Sequence, residues 1–351
     1  MALVNEVVNG DSLDELVLFP DEYFDALVTD PPCGIDLRKL TWDTDYGGRD
    51  GWIEAHRQIF TEVLRVLKPG AYALVWGIPR TAHWTATALE NAGFEIRDVV
   101  THVFGTGFPK GEALDKRIDR AAGMFDERPV IGEKEVLDYG TNPEDYPTLG
   151  GKGVRLPRKK VPLTGPASPV AKRFAGWQTS FKPAGEPWIL ARKPHGTSDA
   201  RAIIEHGCGA LNSPECGVDG TWVRNVVMSH APDCADDACA PGCPQLDLGK
   251  AARFFPIFHH SAKPGAKERH AAGSNTHPTI KSIDLMRWLV KLITPPGGRV
   301  LDVFGGSGTT GVGAIMEGRQ VVLIEREPEF ADICRRRIAL AEAEMGEDLL
   351  L

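Results

Sequence analysis

The sequence predicts an α/β protein: a mostly parallel sheet with helices on both faces, interrupted by an irregular insert. Three observations lead there. Short apolar strand patterns alternate with helical ones along the N-terminal part, and the same alternation returns near the C-terminus. Two of the strand patterns also run into turns of the kind that hold ligands, "DALVTDPPCGID" at 25–36 and "VLDVFGGSGTTGVGA" at 300–314.

Ala26, Leu27 and Val28 are too small for surface duty and suit a sheet covered on both faces. Pro31 and Pro32 remove two backbone donors and end that strand. Asp30 therefore stands at the carboxyl end of a buried strand, the edge where open α/β sheets bind ligands. In "GWIEAHRQIFTEVLRVLKPG", Ile53, His56, Ile59, Phe60, Val63, Leu64 and Leu67 recur at helical spacing until Pro69 and Gly70. "AYALVWG" is the next strand, "HWTATALENAG" a helix and "FEIRDVVTHVF" a third strand. From about residue 124 the texture changes to Pro, Gly, Lys and Arg with little periodicity, although "EPWILARKP" resembles a strand. Order resumes with the amphipathic helix "IDLMRWLVKLI", the strand "GRVLDVF", the helix "TTGVGAIMEG", the strand "RQVVLIE" and the closing helix "PEFADICRRRIALAEAE". The expected division is 1–123, an insert at 124–260, and 261–351.

The 351 residues suffice for one large domain or two. A formal charge of −8 argues against a polycation, though a basic face can coexist with an acidic remainder. No apolar run has membrane-spanning length, and "MALVNEVVNGDSLDELV" lacks the regions of an export signal, so a cytoplasmic location with reduced thiols is expected. Of the seven cysteines, Cys208, Cys216, Cys234, Cys239 and Cys243 crowd into one stretch. Within it "SHAPDCADDACAPGC" offers His230, Cys234, Cys239 and Cys243, which match structural zinc in type and number. Cys208 or Cys216 is an alternative for one ligand. Lys152, Arg155, Arg158, Lys159, Lys160, Lys172 and Arg173 form the basic concentration, suited to phosphates or to a solvated linker.

Charge selects among ligands for the glycine turn. A phosphate loop needs a lysine that is missing, and the dinucleotide spacing G-x-G-x-x-G is not met. Glycines 305, 306 and 308 let backbone approach a ligand, and Thr309 and Thr310 open the following helix. Glu325, ending the next strand, can accept both hydroxyl hydrogens of a ribose. Asp302 would repel a pyrophosphate but suits an ammonium or sulfonium. S-adenosylmethionine carries a ribose, an amino group and a positive sulfur, and no phosphate.

With these stretches together the chain resembles the amino-methylating DNA methyltransferases, of the adenine-N6 or cytosine-N4 kind. "DPPC" resembles their catalytic D/N/S-P-P-aromatic motif, "LDVFGGSGTTG" the cofactor motif, "HPTIKSIDLMRWL" the H-P-T-x-K-P helix, and "VNGDSLDEL" the G-D segment before the catalytic strand. The catalytic motif first and the cofactor motif last, with an insert between, is the permuted β-class order. The resemblance implies a circularly permuted, Rossmann-like S-adenosylmethionine-dependent methyltransferase fold with a target-recognition insert. It implies catalytic Asp30, Pro31, Pro32 and Cys33. It implies cofactor contacts from Asp302, Phe304, Gly306, Ser307, Gly308, Thr309, Thr310 and Glu325, with Thr279 and Lys281 at the methionine end and Asp11 facing the adenine.

In that chemistry the Asp30 carboxylate and the Pro31 carbonyl accept the two N–H bonds of the target amine, and the base is flipped out of the duplex. Cys33 departs from the pattern, because a thiol offers no ring face; Trp42, Phe104 and Phe108 are the candidate replacements, with Lys159 and Lys160 on the DNA backbone. Asp30, rather than a serine, tilts the target toward adenine N6. The expected partner is double-stranded DNA, with no membrane, for a monomer or homodimer. Cytosine N4, an RNA or small-molecule substrate, and a decayed DNA-binding relative are the alternatives.

Overall fold

A computed structural model of the protein describes residues 5–35, 43, 46–104, 113–137, 158–230, 234, 238–241, 243–258, 275, 277 and 280–348. The chain divides into two compact units, one of Met1–Thr106 with Gly185–Leu351 and one of Gly107–Ala184.

The larger unit holds a sheet of nine strands: β1 (Glu6–Asn9), β2 (Phe24–Thr29), β3 (Leu67–Trp76), β4 (Glu95–Val103), β7 (Gly185–Arg192), β8 (Val226–Ser229), β9 (Ile257–Phe258), β10 (Arg299–Asp302) and β11 (Gln320–Glu325). Their order is β1-β11-β10-β2-β3-β7-β4-β8-β9. Every neighbouring pair is parallel except those of β7, which is antiparallel to both β3 and β4. The expected mostly parallel sheet is therefore present. Residues 185–258 supply β7, β8 and β9 to the main sheet, and the second compact unit is 107–184.

Side chains alternate between two cores, as the period of a strand requires. On one face Ala26, Val28, Tyr72, Leu74 and Trp188 pack with Leu285, Met286 and Leu289 of the helix Ile283–Ile293. On the other Leu27, Ala73, Val75 and Ile189 pack with Phe60, Val63 and Leu89. The helix Arg49–Val66 buries Trp52, Ile53, His56, Phe60, Val63 and Val66; of the stripe read from the sequence, Ile53, His56, Phe60 and Val63 are buried on it, Ile59 and Leu64 are half-buried, and Leu67 already begins β3. It ends before Pro69–Gly70, which lies inside β3; a register shift between Phe24 and Ala26 of β2 absorbs the pair, with Gly70 at φ +82. Ser282 caps the helix Ile283–Ile293, its hydroxyl accepting from the Leu285 amide at 3.5 Å. Among the described residues no helix is long and apolar enough to cross a membrane.

The smaller unit contains the helices Leu114–Ala121 and Pro169–Arg173 and a hairpin of β5 (Val130–Leu137) with β6 (Arg158–Thr164). The sequence offered little periodicity there, because the strands are exposed and carry charged residues instead of an apolar face. Arg128 is buried between Asp115 (2.6 Å) and Asp119 (2.5 Å), and Asp119 also accepts from the amides of Ala167 and Ser168, both at 2.9 Å. Burial would raise the Asp119 pKa, but those amides, the Ser168 hydroxyl and Arg128 together hold it below the usual carboxylate range. Lys159 and Lys160 lie exposed on β6, where Arg158 and Lys160 face Glu135 (3.6 Å) and Glu133 (3.7 Å) of β5. The basic cluster is thus partly matched by acids. Lys152 and Arg155 lie outside the described residues.

Trp188, fully buried at the middle of β7, tests the antiparallel insertion. Trp188→Ala should cost about 3–5 kcal/mol in denaturant unfolding; a loss below about 1 kcal/mol would place β7 at a surface instead.

Candidate active site

The two ligand-type turns meet because β10 lies beside β2, in register Val300 to Ala26 and Leu301 to Leu27. From that pair the chain leaves in opposite directions, to β11 on one side and β3 on the other, which makes this the switch point of the sheet. Asp30 follows β2 directly, and Asp302 ends β10. Thr29 Oγ1 donates to Asp302 Oδ1 at 2.6 Å, Thr310 Oγ1 to Oδ2 at 2.6 Å, and the Phe304 amide to Oδ1 at 3.0 Å. Asp302 is only 2% exposed; burial raises its pKa and these three donors pull against that rise. The sequence suggested an acid facing a cation. In the fold both of its oxygens also accept from the chain, so Asp302 holds the turn in shape.

Glu325, at the end of β11, accepts from the Gly306 amide (2.6 Å) and the Glu327 amide (2.8 Å). Burial raises its pKa too, with Asp302 adding to the rise and the two amides opposing it. Each of its oxygens receives one such bond and keeps a further lone pair for a hydroxyl. The glycines have local reasons of their own. Gly308 has φ +77 and caps the helix Thr309–Met316, and a Cβ there would come within 3.0 Å of Cys334. Gly306 has φ +53 beside the His277 ring. Ser307 and Thr309 are buried, and Arg337 reaches behind the turn to the Ser307 carbonyl (2.7 Å) and the Thr309 hydroxyl (3.0 Å). Phe304 is half-buried, its ring 5.8 Å from that of His56.

Asp30 itself pairs with Lys281, Oδ2 to Nζ at 2.5 Å. The Lys281 ammonium also lies 4.0 Å from the centre of the Trp76 ring, whose Nε1 donates to Glu186 Oε2 at 3.0 Å. Glu186 pairs in register with His102, and His102 Nε2 is 2.7 Å from Ser229 Oγ. By strand parity Asp30, just past β2, and Trp76, Glu186, His102 and Ser229 of β3, β7, β4 and β8 lie on one face of the sheet, the face covered by the helix Ile283–Ile293, with Glu186 and His102 directly opposite each other. Burial pushes Asp30 up to about 6, outweighing the opposing pull of Lys281, while Glu186 and Asp302 add to the rise. Lys281 shows the reciprocal effect: burial would lower its pKa, but Asp30 and Glu186 raise it. Burial brings His102 down to about 4, so its ring is neutral at pH 7.

The remaining expected residues are placed as follows. Pro31 is buried, and Pro32 and Cys33 are half-buried. Burial first and Asp30 second push the Cys33 thiol up to about 12, which leaves no thiolate for nucleophilic attack. Phe104, 8% exposed, stands just past β4 with its ring 5.5 Å from His102. Asp11 is exposed and caps the helix Ser12–Leu16, accepting from the Leu13 amide at 3.0 Å. Trp42, Phe108 and Thr279 lie outside the described residues. The sequence reading did not single out Trp76, Glu186 or His102. A histidine at an inward-facing position of "VVTHVF" was the available signal, but its carboxylate neighbour comes from a strand more than eighty residues away.

His230, Cys234, Cys239 and Cys243 come together as well, with their ligand atoms all within 4.8 Å of one another. Cys208 and Cys216 do not join them: the first is buried with its sulfur 3.9 Å from the Pro69 carbonyl, the second with its sulfur 3.9 Å from the Trp288 carbonyl.

The family model described as "DNA methylase" matches residues 173–336. The type II methyltransferase M.Cfr9I of Citrobacter freundii is 40% identical over 258 residues, covering 67% of this chain and 74% of that one. The type II methyltransferase M.HindIII of Haemophilus influenzae is 22% identical, covering 96% of both chains. Among solved structures, the PvuII DNA methyltransferase (cytosine-N4-specific) aligns with a TM-score of 0.49 at 14% identity, covering 95% of this chain and 86% of that one. The paired proline turn and glycine turn, read with these relatives, establish that the chain belongs to the DNA amino-methyltransferase family, whose members methylate adenine N6 or cytosine N4.

Proposed function

We propose that the protein transfers a methyl group from S-adenosylmethionine to the exocyclic amine of a flipped base in double-stranded DNA, with adenine N6 as the target. The observation that carries this reading is the adjacency of Asp30 and the Asp302–Gly308 turn at the carboxyl ends of two neighbouring parallel strands.

The donor set suits the cofactor. Asp30, Asp302 and Glu325 gather at one sheet edge closely enough for Asp302 to raise the pKa of both others. Such an edge disfavours a pyrophosphate and favours a ligand bearing hydroxyls and positive charge. Glu325 has lone pairs left for a ribose, and the Gly305–Gly308 backbone forms the wall beside it. When bound, S-adenosylmethionine supplies an electrophilic methyl group on a sulfonium.

The chain's own residues act on the amine. Lys281 takes Oδ2 of Asp30, which leaves Oδ1 to accept one N–H of the target nitrogen while the Pro31 carbonyl accepts the other. Two fixed acceptors draw the nitrogen toward tetrahedral geometry and stabilise the positive charge that grows on it. The carboxylate at position 30 is the basis for assigning adenine. Phe104, just past β4 beside His102, is the ring we assign to stacking on the flipped base in place of the aromatic missing at Cys33. Lys159 and Lys160 are assigned to the phosphate backbone. The type II relatives support a modification enzyme of a restriction system. An amine attacking an activated methyl group needs no Lewis acid, so zinc held by the His230 cluster would be structural.

Tritium transfer from labelled cofactor to duplex DNA, followed by nucleoside analysis, tests the reaction. N6-methyladenine should be the labelled product; N4-methylcytosine would correct the target, and no labelled base would sink the reading. Asp30→Ala should lower incorporation by about a hundred- to a thousandfold while cofactor affinity persists. Glu325→Ala should weaken cofactor binding at least about tenfold by calorimetry, since it removes charged hydrogen bonds to the ribose. Because burial pushes the Asp30 pKa up to about 6, single-turnover incorporation should fall as pH drops through that value and the acceptor becomes protonated. A chemical step that stays level down to pH 5 would remove Asp30 from the acceptor role.

A further inference from the structure

We propose that His230, Cys234, Cys239 and Cys243 hold one zinc ion that fastens the β8–β9 edge of the sheet. The four ligand atoms lie within 4.8 Å of one another, drawn from the end of β8 and from the loop that follows it. The histidine–cysteine separations fit a tetrahedral site. With Zn–S near 2.3 Å and Zn–N near 2.0–2.1 Å, sulfur and nitrogen ligands should stand about 3.6 Å apart. His230 Nδ1 is 3.4 Å from the Cys239 sulfur and 3.6 Å from the Cys243 sulfur. None of the three cysteines is tied up in a disulfide. Cys243 is fully buried and His230 is 8% exposed, while Cys234 and Cys239 are half-buried, so the centre is enclosed on the His230–Cys243 side. The Ala240 amide points at the Cys234 sulfur, 3.2 Å away, as outer hydrogen bonds to metal thiolates do.

The position assigns the ion a structural role. β8 has four residues and β9 two, too short for a stable sheet edge by themselves. The His230 amide donates to the Phe258 carbonyl at 3.0 Å, and Cys243 leads into the short helix Pro244–Leu248 before β9. One ion on these ligands therefore ties the end of β8 to the chain that returns as β9. The neighbouring residue Ser229 is the hydroxyl partner of His102, so the same tie steadies His102 on the sheet face that carries Asp30. Four strand spacings of ~4.8 Å separate β2 from β8, roughly 19 Å, too far for the ion to touch the reacting amine.

Metal analysis of the full chain, purified without chelators, should give about one zinc per chain. Protein reconstituted with cobalt should show the near-ultraviolet charge-transfer absorption of thiolate ligands. Cys239→Ser and Cys243→Ser should each lose the ion, and chelation of the unaltered protein should lower its melting temperature until zinc is restored. A wild-type protein with neither zinc nor the cobalt band overturns the proposal, whether or not the variants fold. None of these readouts requires methyl transfer. Loss of transfer with zinc in place would count against the proposed reaction alone, and absence of zinc in an active enzyme against this site alone.

Discussion

The hydrogen bond from Thr29 to Asp302 joins residues 273 positions apart and fixes the pairing on which the rest of the site depends. β2 and β10 are short, and every residue of β2 is buried, so their register is set by apolar packing on both faces. A slip of one residue would send Asp30 to the opposite side of the sheet. The buried Asp302 carboxylate would be costly if left bare; its three donors offset that cost and lock the start of the glycine turn to the end of β2. The glycine turn and the proline turn are thereby tied together through one side chain.

Beyond that joint, charge along the sheet edge is balanced residue by residue. Lys281 lies between Asp30 and Glu186 with its ammonium over the Trp76 ring, so its charge is met by two acids and a π face. Burial still dominates at Asp30, which is why its pKa rises although a lysine touches it. A carboxylate in that state is ionised at neutral pH yet poorly solvated, and it gains more from accepting an N–H than a carboxylate in water would. Cys33, beside it, is kept neutral by the same burial.

The insert unit follows a different logic. It is organised around the buried Arg128 and its two aspartates, and its exposed hairpin mixes basic residues with acidic ones. Breaking such a buried pair costs more than the pair itself contributes, which makes it effective at enforcing one arrangement of a segment with few apolar residues.

Most elements of the main sheet were legible because their signals are local. Six-residue apolar runs such as 24–29 and 320–325, the helical stripe of 49–66, and acids standing at strand ends need only neighbouring residues to declare themselves. The β-class motif order and the family followed from the same stretches. Tertiary structure alone decided where β7 enters. A strand from beyond the insert runs antiparallel between β3 and β4, and nothing in "EPWILARKP" specifies its partners. It also decided that Lys281 meets Asp30, that Asp302 turns its oxygens inward, that Glu186 and His102 share a row, and that four ligands of irregular spacing close into one cluster. The physical reason is common to all of these. Side-chain identity and periodicity are written along the chain, whereas strand pairing and charge contacts depend on segments that come together only when the core forms.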